Sequence, residues 1–261
     1  SMTDANGITT AYTYDGNDNI LGITITAAAA TSPSQVSSYQ YDEFDQLIAA
    51  TDGVGNALVA SDAALYQNLR KELGYTVTVS GVTRGKLVVE LTDAEKTALL
   101  AAFTERYTYD KVGNRKTETD KLGRSTGYDY DALNRLVKST DALGGTREYR
   151  YDGNGNLLSG TDALGRTTTQ TYDKLDRVAT RSDPLGTGSE STVTKSVYDT
   201  FGNVTSVTEA FGTAQARSSS YEYDLNNLLT AAVDARGNRT SYAYDAVGNR
   251  IRETDARLNS T

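Results

Sequence analysis

Polar and apolar residues alternate along most of this chain in short runs of about seven residues, a usual length for a strand. In one run, Arg147, Tyr149 and Tyr151 fall on one side at a period of two, and Thr146 and Glu148 fall on the other. Clusters of Gly, Asn and Asp separate the runs. This pattern predicts β-strands joined by tight turns into antiparallel hairpins.

A sequence repeat underlies these runs. Its mark is the dipeptide Tyr-Asp, and the unit is 21 residues long, as between Tyr109 and Tyr130. A second mark, usually Thr-Asp, follows 10 residues after every Tyr-Asp tyrosine except Tyr14. Each repeat therefore predicts one hairpin of two strands. The tyrosines of the Tyr-Asp marks are Tyr14, Tyr41, Tyr109, Tyr130, Tyr151, Tyr172, Tyr198, Tyr223 and Tyr244.

Each mark is followed by a residue type that accepts a positive φ angle. Four residues after every Tyr-Asp tyrosine the chain has Gly, Asn or Asp, and four residues after most second marks it has Gly. Because an aspartate can accept a hydrogen bond from the backbone N–H two residues on, Asp-x-x-Gly predicts a type I turn ending in a left-handed residue. We expect these roles for the aspartates Asp110, Asp131 and Asp152 and for the glycines Gly7, Gly55, Gly123, Gly144, Gly165, Gly186, Gly212 and Gly237.

Tyrosine also fills a second position in most repeats, two residues before the Tyr-Asp mark. Gln170 and Ser196 take that place in two repeats. When hairpins pair in register, the two columns are expected to bring aromatic rings together, and such ring pairs contribute about 0.5–1.5 kcal/mol beyond their burial. Aliphatic residues such as Leu157 and Val178 lie on the other strand. We therefore predict that ring contacts hold neighbouring hairpins together.

The predicted fold class is all-β: a tandem array of antiparallel β-hairpins with one small α+β insertion. A lone hairpin is marginally stable in water, so each repeat must be stabilised by its neighbours. We expect repeats over residues 3–57 and 105–261 and the insertion at 58–104. Both chain ends fall within a repeat, which favours a piece of a longer array with open sheet edges.

The 58–104 segment does not follow the repeat. Helical spacing and a final glycine predict a helix over Ser61–Leu73, and two strands are expected at Tyr75–Val79 and Lys86–Leu91. Thr92 to Glu95 has the sequence of a capping box, which predicts a second helix ending near Phe103. The segment is either a packing element or a partner-binding element, since long insertions on repeat arrays often form binding surfaces. Smaller loop insertions are expected near residues 27–34, 187–191 and 213–220.

Charge and composition exclude several kinds of function. Lys and Arg total 26 against 34 Asp and Glu, a formal net charge of -8, which argues against nucleic acid and anionic membrane surfaces as partners. No apolar stretch approaches the roughly 20 residues of a spanning helix. The chain has no histidine, which excludes Ser-His-Asp and Cys-His catalysis and histidine metal sites. It also has no cysteine, so disulfides do not stabilise it.

The turns explain the recurring aspartates better than calcium binding or carboxylate catalysis does. The loops at Asp15–Asn19 and Asp152–Asn156 begin like an EF-hand, but Ile20 and Leu157 stand where its glycine is required. Paired carboxylates can hydrolyse glycosides, but these aspartates recur in every repeat, as a folding requirement does and a catalytic pair does not. We therefore expect no catalytic residue, no metal ion and no cofactor, and predict that the protein is not an enzyme.

The unit from Tyr130-Asp131 through Asn134 and Thr140-Asp141 to Gly144 resembles the Rhs/YD-repeat family. Its members include bacterial Rhs and wall-associated toxins, shell proteins of toxin complexes, and teneurins. The resemblance implies a β-strand spiral that closes into a hollow shell around an unfolded or toxic C-terminal polypeptide.

The resemblance also implies a location and partners. We expect a secreted or cell-surface protein whose partners are the rest of its own array and a C-terminal cargo domain. The alternative is a module that binds a glycan or a protein in adhesion, as the related shell of teneurins does. Asp183-Pro184-Leu185-Gly186 resembles a self-cleavage motif at the end of family shells. Its place in the repeat favours an ordinary turn with Pro184 at the second position.

Overall fold

The computed structural model describes residues 1–26, 34–186 and 190–260, and the chain divides into two compact units, Ser1–Gly144 and Gly145–Thr261. The strands of the first unit are β1 (Met2–Thr3), β2 (Thr9–Tyr14), β3 (Ile20–Thr26), β4 (Gln35–Tyr41), β5 (Leu47–Thr51), β6 (Thr76–Val79), β7 (Val82–Gly85), β8 (Thr104–Tyr109), β9 (Arg115–Thr119), β10 (Ser125–Tyr130) and β11 (Leu136–Thr140). The strands of the second unit are β12 (Thr146–Tyr151), β13 (Leu157–Thr161), β14 (Thr167–Tyr172), β15 (Val178–Pro184), β16 (Ser191–Tyr198), β17 (Val204–Glu209), β18 (Arg217–Tyr223), β19 (Leu229–Val233), β20 (Arg239–Tyr244) and β21 (Arg250–Thr254).

Within each unit, the repeat strands pair antiparallel with their neighbours along the chain. The first unit runs β1-β2-β3-β4-β5-β8-β9-β10-β11, and β6 pairs with β7 outside this sheet. In the second unit, strands β12 to β21 pair in chain order. The predicted all-β array of antiparallel hairpins is therefore confirmed.

A register shift lies immediately before every Tyr-Asp tyrosine, as between Thr108 and Tyr109 and between Thr171 and Tyr172. The residue four positions after each of these tyrosines has a positive φ, which is 90° at Gly113 and 60° at Asn134. A type I turn followed by a left-handed residue and a bulge is a common hairpin connection. The bulge gives each hairpin the same local bend at the same place.

The repeat sheets bury little. In the second unit, Ala231 is the one buried residue in the described part of the chain, and the other strand residues are half-buried or exposed. One face, which we call the tyrosine face, carries the tyrosine columns, as at Tyr149, Tyr221 and Tyr242. The opposite face pairs small hydroxyl side chains across strands, as between Thr171 and Thr180 at 2.6 Å. Backbone pairing, turns and side-chain hydrogen bonds therefore hold the sheet, with little help from a hydrophobic core.

The non-repeat segment is helical at both ends. Its helices are α1 (Gly53–Ala60), α2 (Ala64–Glu72) and α3 (Asp93–Ala101), with a 3-10 turn at Val88–Glu90. Thr92 and Glu95 form the expected capping box at the start of α3. Leu58, Tyr66, Leu91 and Leu99 are buried together as its small hydrophobic core. The segment thus has the packed core that the repeats lack.

Several local predictions in this segment and in the loops are wrong. The second strand lies at Val82–Gly85 and not at Lys86–Leu91, since Val79 already pairs with Val82 across a two-residue turn. The α2 helix begins at Ala64 rather than Ser61. The predicted loop at 213–220 ends earlier, because β18 begins at Arg217. Residues 27–33 and 187–189 of the other two predicted loop insertions lie outside the described residues.

The predicted turn at Gly55 is also wrong, because the chain forms α1 there. Asp52 caps this helix by accepting a hydrogen bond from the Gly55 backbone N–H at 2.8 Å. Gly55 is buried, and a Cβ atom on it would lie 2.4 Å from the Cβ of Phe103. The glycine is therefore required for close packing against Phe103 and not for a left-handed backbone.

Arg70 connects the parts of this segment. It is fully buried; its Nε donates to the carbonyl of Lys86 at 2.6 Å, and Nη1 donates to the carbonyls of Leu58 and Ser61 at 2.7 and 2.9 Å. Nη2 forms an ion pair with Asp62 at 2.8 Å. Burial lowers the pKa of Arg70 against the opposing effect of Asp62. A fully bonded buried guanidinium therefore ties α1, α2 and the β7–α3 connection together.

Candidate functional site

The aspartate of each Tyr-Asp mark organises the turn that follows it. At Asp110, Oδ1 accepts hydrogen bonds from the backbone N–H groups of Val112 and Asn114 at 3.0 and 2.9 Å. The backbone of Asp110 accepts from Gly113 and donates to Asn114, which closes the turn. A carboxylate is suited to this position because one oxygen can satisfy two N–H groups that point into the loop.

The turns at the second marks use the same arrangement. Asp120 accepts from the N–H groups of Leu122 and Arg124, both at 2.9 Å, and Gly123 follows with φ 76°. Asp131 and Asp152, which belong to Tyr-Asp marks, accept the same pair of hydrogen bonds in their turns. Gly144 and Gly165 also have positive φ angles, of 82° and 77°. One turn design therefore serves both edges of the sheet.

Sequence reasoning missed a further member of the turn, the residue four positions after the aspartate. Its side chain returns a hydrogen bond to the second carboxylate oxygen, from Asn114 Nδ2 to Asp110 at 2.9 Å and from Arg124 Nε to Asp120 at 2.7 Å. These bonds are the main reason that the pKa values of Asp110 and Asp120 lie below the ordinary range. The signal was present in the sequence as an Asn or Arg after most left-handed residues. The returning residues are Asn19, Gln46, Asn114, Asn156, Asn203, Asn238, Asn249, Asn259, Arg124, Arg135, Arg166 and Arg177.

The tyrosine of the mark joins its hairpin to the one before. The hydroxyl of Tyr172 donates to the carbonyl of Leu157 at 2.9 Å. Backbone pairing between these two strands ends at Ser159 and Thr169, so the hydroxyl extends the ladder by one more hydrogen bond. Four other tyrosines do the same to the first residue of the preceding strand. They are Tyr41 to Ile20, Tyr109 to Leu47, Tyr198 to Val178 and Tyr244 to Leu229, at 2.8–3.1 Å.

The expected ring-to-ring contact between hairpins is therefore wrong for these five tyrosines. A strand of the preceding hairpin separates the tyrosine columns of consecutive hairpins, so the columns are about 10 Å apart at two interstrand spacings. A tyrosine reaches the intervening backbone but not the next ring. Among the described residues, the ring pair in contact is Tyr12 with Tyr14, at 6.4 Å on a single strand. Tyr14, Tyr130, Tyr151 and Tyr223 occupy the same strand-end position as the five.

Arginines cover several of the rings. The guanidinium of Arg177 lies 4.6 Å from the ring centroid of Tyr198 and donates to the carbonyl of Asp199 at 2.9 Å. Arg115 lies 4.8 Å from the ring of Tyr107. Such cation–π contacts contribute about 0.5–1 kcal/mol at exposed sites. The rings thus pack against cations and backbone, which explains how tyrosines stabilise the sheet without stacking.

Neighbouring Tyr-Asp turns are also linked directly. Asn156 Nδ2 donates to the carboxylate of Asp176 at 2.7 Å, and Asn203 Nδ2 donates to the amide oxygen of Asn227 at 2.8 Å. The acceptor is in each case the left-handed residue of the next turn, with φ 58° at Asp176. This contact explains why some turns have Asp or Asn where glycine would be less strained.

The tetrapeptide at Asp183 differs from its predicted turn. Pro184 is the last residue of β15 and pairs with Ser191, so it does not occupy the second turn position. The carboxylate of Asp183 forms an ion pair with Arg181 at 2.7 Å and accepts from the hydroxyl of Thr168 at 3.2 Å. The strand continues through Pro184, so Asp183 does not close the expected turn, although Gly186 has the expected positive φ of 84°.

The sequence matches the RHS repeat family over residues 1–32, 104–146, 151–187, 198–234 and 223–257. These segments cover well over half of the chain and coincide with the strands and turns described above. The chain is therefore a β-hairpin repeat protein, and it belongs to the RHS repeat family. No curated protein matches the chain.

Solved toxin-complex structures share the fold. The Tc holotoxin pore of Photorhabdus luminescens matches 99% of this chain with a TM-score of 0.53 and 14% identity. The TcdB2-TccC3-Cdc42 complex matches 98% of it with a TM-score of 0.53, and TcdB2-TccC3 matches 98% with a TM-score of 0.52, both at 13% identity. This chain spans 14% to 15% of the length of those chains.

In the described part of the chain, no helix has the length and apolar character needed to cross a membrane.

Proposed function

We propose that this chain is a non-catalytic segment of the wall of a shell that encloses a toxin or cargo polypeptide. The observation that carries the proposal is a sheet without a hydrophobic core. In the second unit, both faces are accessible across ten strands, and Ala231 is the one buried residue among those described. Such a sheet separates two aqueous spaces without needing a second layer.

The contacts between consecutive hairpins support a wall that can contain many repeats. Each hairpin joins the preceding one through backbone pairs, and five tyrosine hydroxyls add a further hydrogen bond, as from Tyr172 to Leu157. Because the same contacts recur, further repeats extend the sheet without a new kind of interface. The resemblance in fold to TcdB2-TccC3, a toxin complex, supports a toxin polypeptide as the cargo. A secreted or cell-surface location follows from the same proposal.

Limited proteolysis of a natural chain that carries these repeats together with a downstream domain tests enclosure. The downstream polypeptide is expected to resist protease under native conditions and to become cleavable after urea unfolds the wall. The matched control is the same downstream domain expressed without repeats, which should be cleaved at neutral pH. Equal cleavage rates with and without the repeats contradict enclosure and favour an adhesion module.

A further inference from the structure

The tyrosine face of the second unit contains a cavity of about 260 Å³. The ring of Tyr149 forms one wall, and Gly160 lies opposite it on the neighbouring strand. Gln170 and Arg181, which pair across β14 and β15, form the far side, and Arg147 lies at the end next to Tyr149. The cavity therefore combines an aromatic surface with amide and guanidinium groups, a composition found in ligand sites.

The cavity exists because Gly160 has no side chain. Its backbone has an ordinary extended conformation, so a positive φ does not require glycine here. A Cβ atom at this position would make an ordinary contact of 3.7 Å with the Tyr149 ring, and larger side chains would fill the space. Glycine within a strand costs about 0.5–1 kcal/mol, and it often marks a place where another group approaches the backbone.

A second departure from the repeat pattern also leaves space in this cavity. Gln170 stands where most repeats have the first tyrosine of the pair, and its side chain leaves the space that a ring would take. Its Oε1 lies 2.7 Å from the hydroxyl of Tyr172, and it shares the single hydroxyl proton with the carbonyl of Leu157 at 2.9 Å. The amide nitrogen of Gln170 thus has two hydrogens to donate.

The charged groups at the cavity also favour an acceptor as ligand. Arg147 is exposed, and it makes no ion pair with the residues that the structure describes. Arg181 is paired with Asp183 at 2.7 Å. Asp162 also lines the cavity, but its carboxylate is held by its own turn and by Arg166 at 2.6 Å. The groups that remain available are the donors of Arg147 and the amide of Gln170.

We propose that this cavity binds one acidic side chain of an extended polypeptide. The carboxylate accepts hydrogen bonds from Arg147 and from the amide of Gln170, and the aliphatic stem lies over Gly160 against the ring of Tyr149. Arginine and carboxylate match in geometry as well as in charge. The proposal does not depend on enclosure, because the cavity can bind such a segment on an open sheet.

The bordering charges favour a polypeptide over a polysaccharide made of acidic sugars. Asp162 and Asp183 lie beside the two arginines, so an evenly charged polyanion would meet negative groups on either side. A peptide can place a single carboxylate at the cavity and neutral backbone elsewhere. The occupant is therefore a locally acidic segment, with an isolated Glu as its simplest form.

Binding of two blocked peptides to the intact chain tests the proposal by NMR titration. The probes are acetyl-Gly-Leu-Glu-Gly-amide and the same peptide with Gln in place of Glu. The Glu peptide is expected to bind about tenfold more tightly, the equivalent of one charge-assisted hydrogen bond, and to shift the amide signal of Gly160. Arg147→Gln, which removes a guanidinium that has no ion-pair partner among the described residues, should abolish the difference between the peptides.

Gly160→Val should fill the cavity and abolish binding. Gly127→Val is its matched control, since Gly127 also lies within a strand and no atom lies within 4 Å of the position of its Cβ. Equal affinity for the two peptides, or binding that survives Gly160→Val, overturns the proposal. Tighter binding of an oligogalacturonate than of the Glu peptide also overturns it and assigns the cavity to an acidic sugar.

Discussion

The hydroxyl of Tyr172 lies 2.9 Å from the carbonyl oxygen of Leu157, a residue of the preceding hairpin. The same relation joins Tyr244 to Leu229 at 2.9 Å. A phenylalanine could bury the same ring area but could not make this bond. The Tyr-Asp dipeptide thus has two separate roles, since the tyrosine joins hairpins and the aspartate forms the next turn.

The turn aspartates predict loss of stability in acid. Hydrogen bonds from Asn249 and Arg166 lower the pKa values of Asp245 and Asp162 below their ordinary value of 3.8. A lowered pKa stabilises the fold above the unfolded value, and this contribution is lost as the pH falls through the folded value. The melting temperature should hold from neutral pH to about pH 5 and then fall steeply below about pH 4. A melting temperature unchanged down to about pH 3 would contradict this role of the aspartates.

Tyr107 should ionise late in an alkaline titration. Burial, followed by the hydrogen bond from its hydroxyl to Glu105, raises the pKa of Tyr107 to about 12. Since the folded pKa is raised, the contribution to stability is present below the ordinary value of 10.0 and is lost as the pH rises towards 12. Glu105→Gln should lower this pKa, as followed by NMR of ring-labelled tyrosine, with Tyr107→Phe identifying the signal. An unchanged titration in Glu105→Gln would show that Glu105 does not act on Tyr107.

Two positions in the turn between β17 and β18 test backbone strain, because substitutions there should change the free energy of unfolding in opposite directions. Ala210 has φ 50° and Gly212 has φ 84°, both in the left-handed region. Ala210→Gly should raise the free energy of unfolding by about 1 kcal/mol, and Gly212→Ala should lower it by about the same amount. Urea denaturation of the two variants measures both changes. Changes of the same sign would mean that the turn relaxes away from this geometry.

Arg70 should stabilise the insertion without affecting the stability of the repeats. Arg70→Met removes the donors to the carbonyls of Leu58, Ser61 and Lys86 and the ion pair with Asp62. A buried acceptor left without its donor costs about 1–3 kcal/mol. Hydrogen exchange should speed up in α1 and α2 and stay unchanged in the strands of the second unit. Lys71→Met, at the exposed neighbouring position, is the control and should change neither. Faster exchange in the second unit would show that the insertion supports the whole array.

Turns were predictable from the sequence because their chemistry is local. The positive φ at Asn134 and Gly155 follows from residue type alone, and the aspartate contacts span two to four residues. Leu258 has φ 66° where glycine was expected, which shows that the turn frame can hold even an unfavourable residue. The hairpin array and the positions of its repeats along the chain could be predicted in the same way.

Contacts between strands could not be derived so directly. The sequence puts tyrosines in columns, but only the strand order shows that another strand lies between consecutive columns. The predicted ring contact is therefore wrong, and the hydrogen bond from Tyr198 to Val178 could not be predicted. The α1 helix was missed for a similar reason. Its Gly55 has the spacing of a turn residue, and its packing against Phe103 is a contact between residues far apart in sequence.

The most direct test of the tyrosine junction compares two substitutions on strand β20. Tyr244→Phe removes the hydroxyl that donates to Leu229, whereas Tyr242→Phe removes one with no hydrogen bond to the described residues and keeps the ring beside Arg250. The free energy of unfolding, measured by urea denaturation, should fall by about 1 kcal/mol for Tyr244→Phe and by under about 0.5 kcal/mol for Tyr242→Phe. Equal losses, or a larger loss for Tyr242→Phe, would mean that the rings and not the hydroxyls hold the hairpins together.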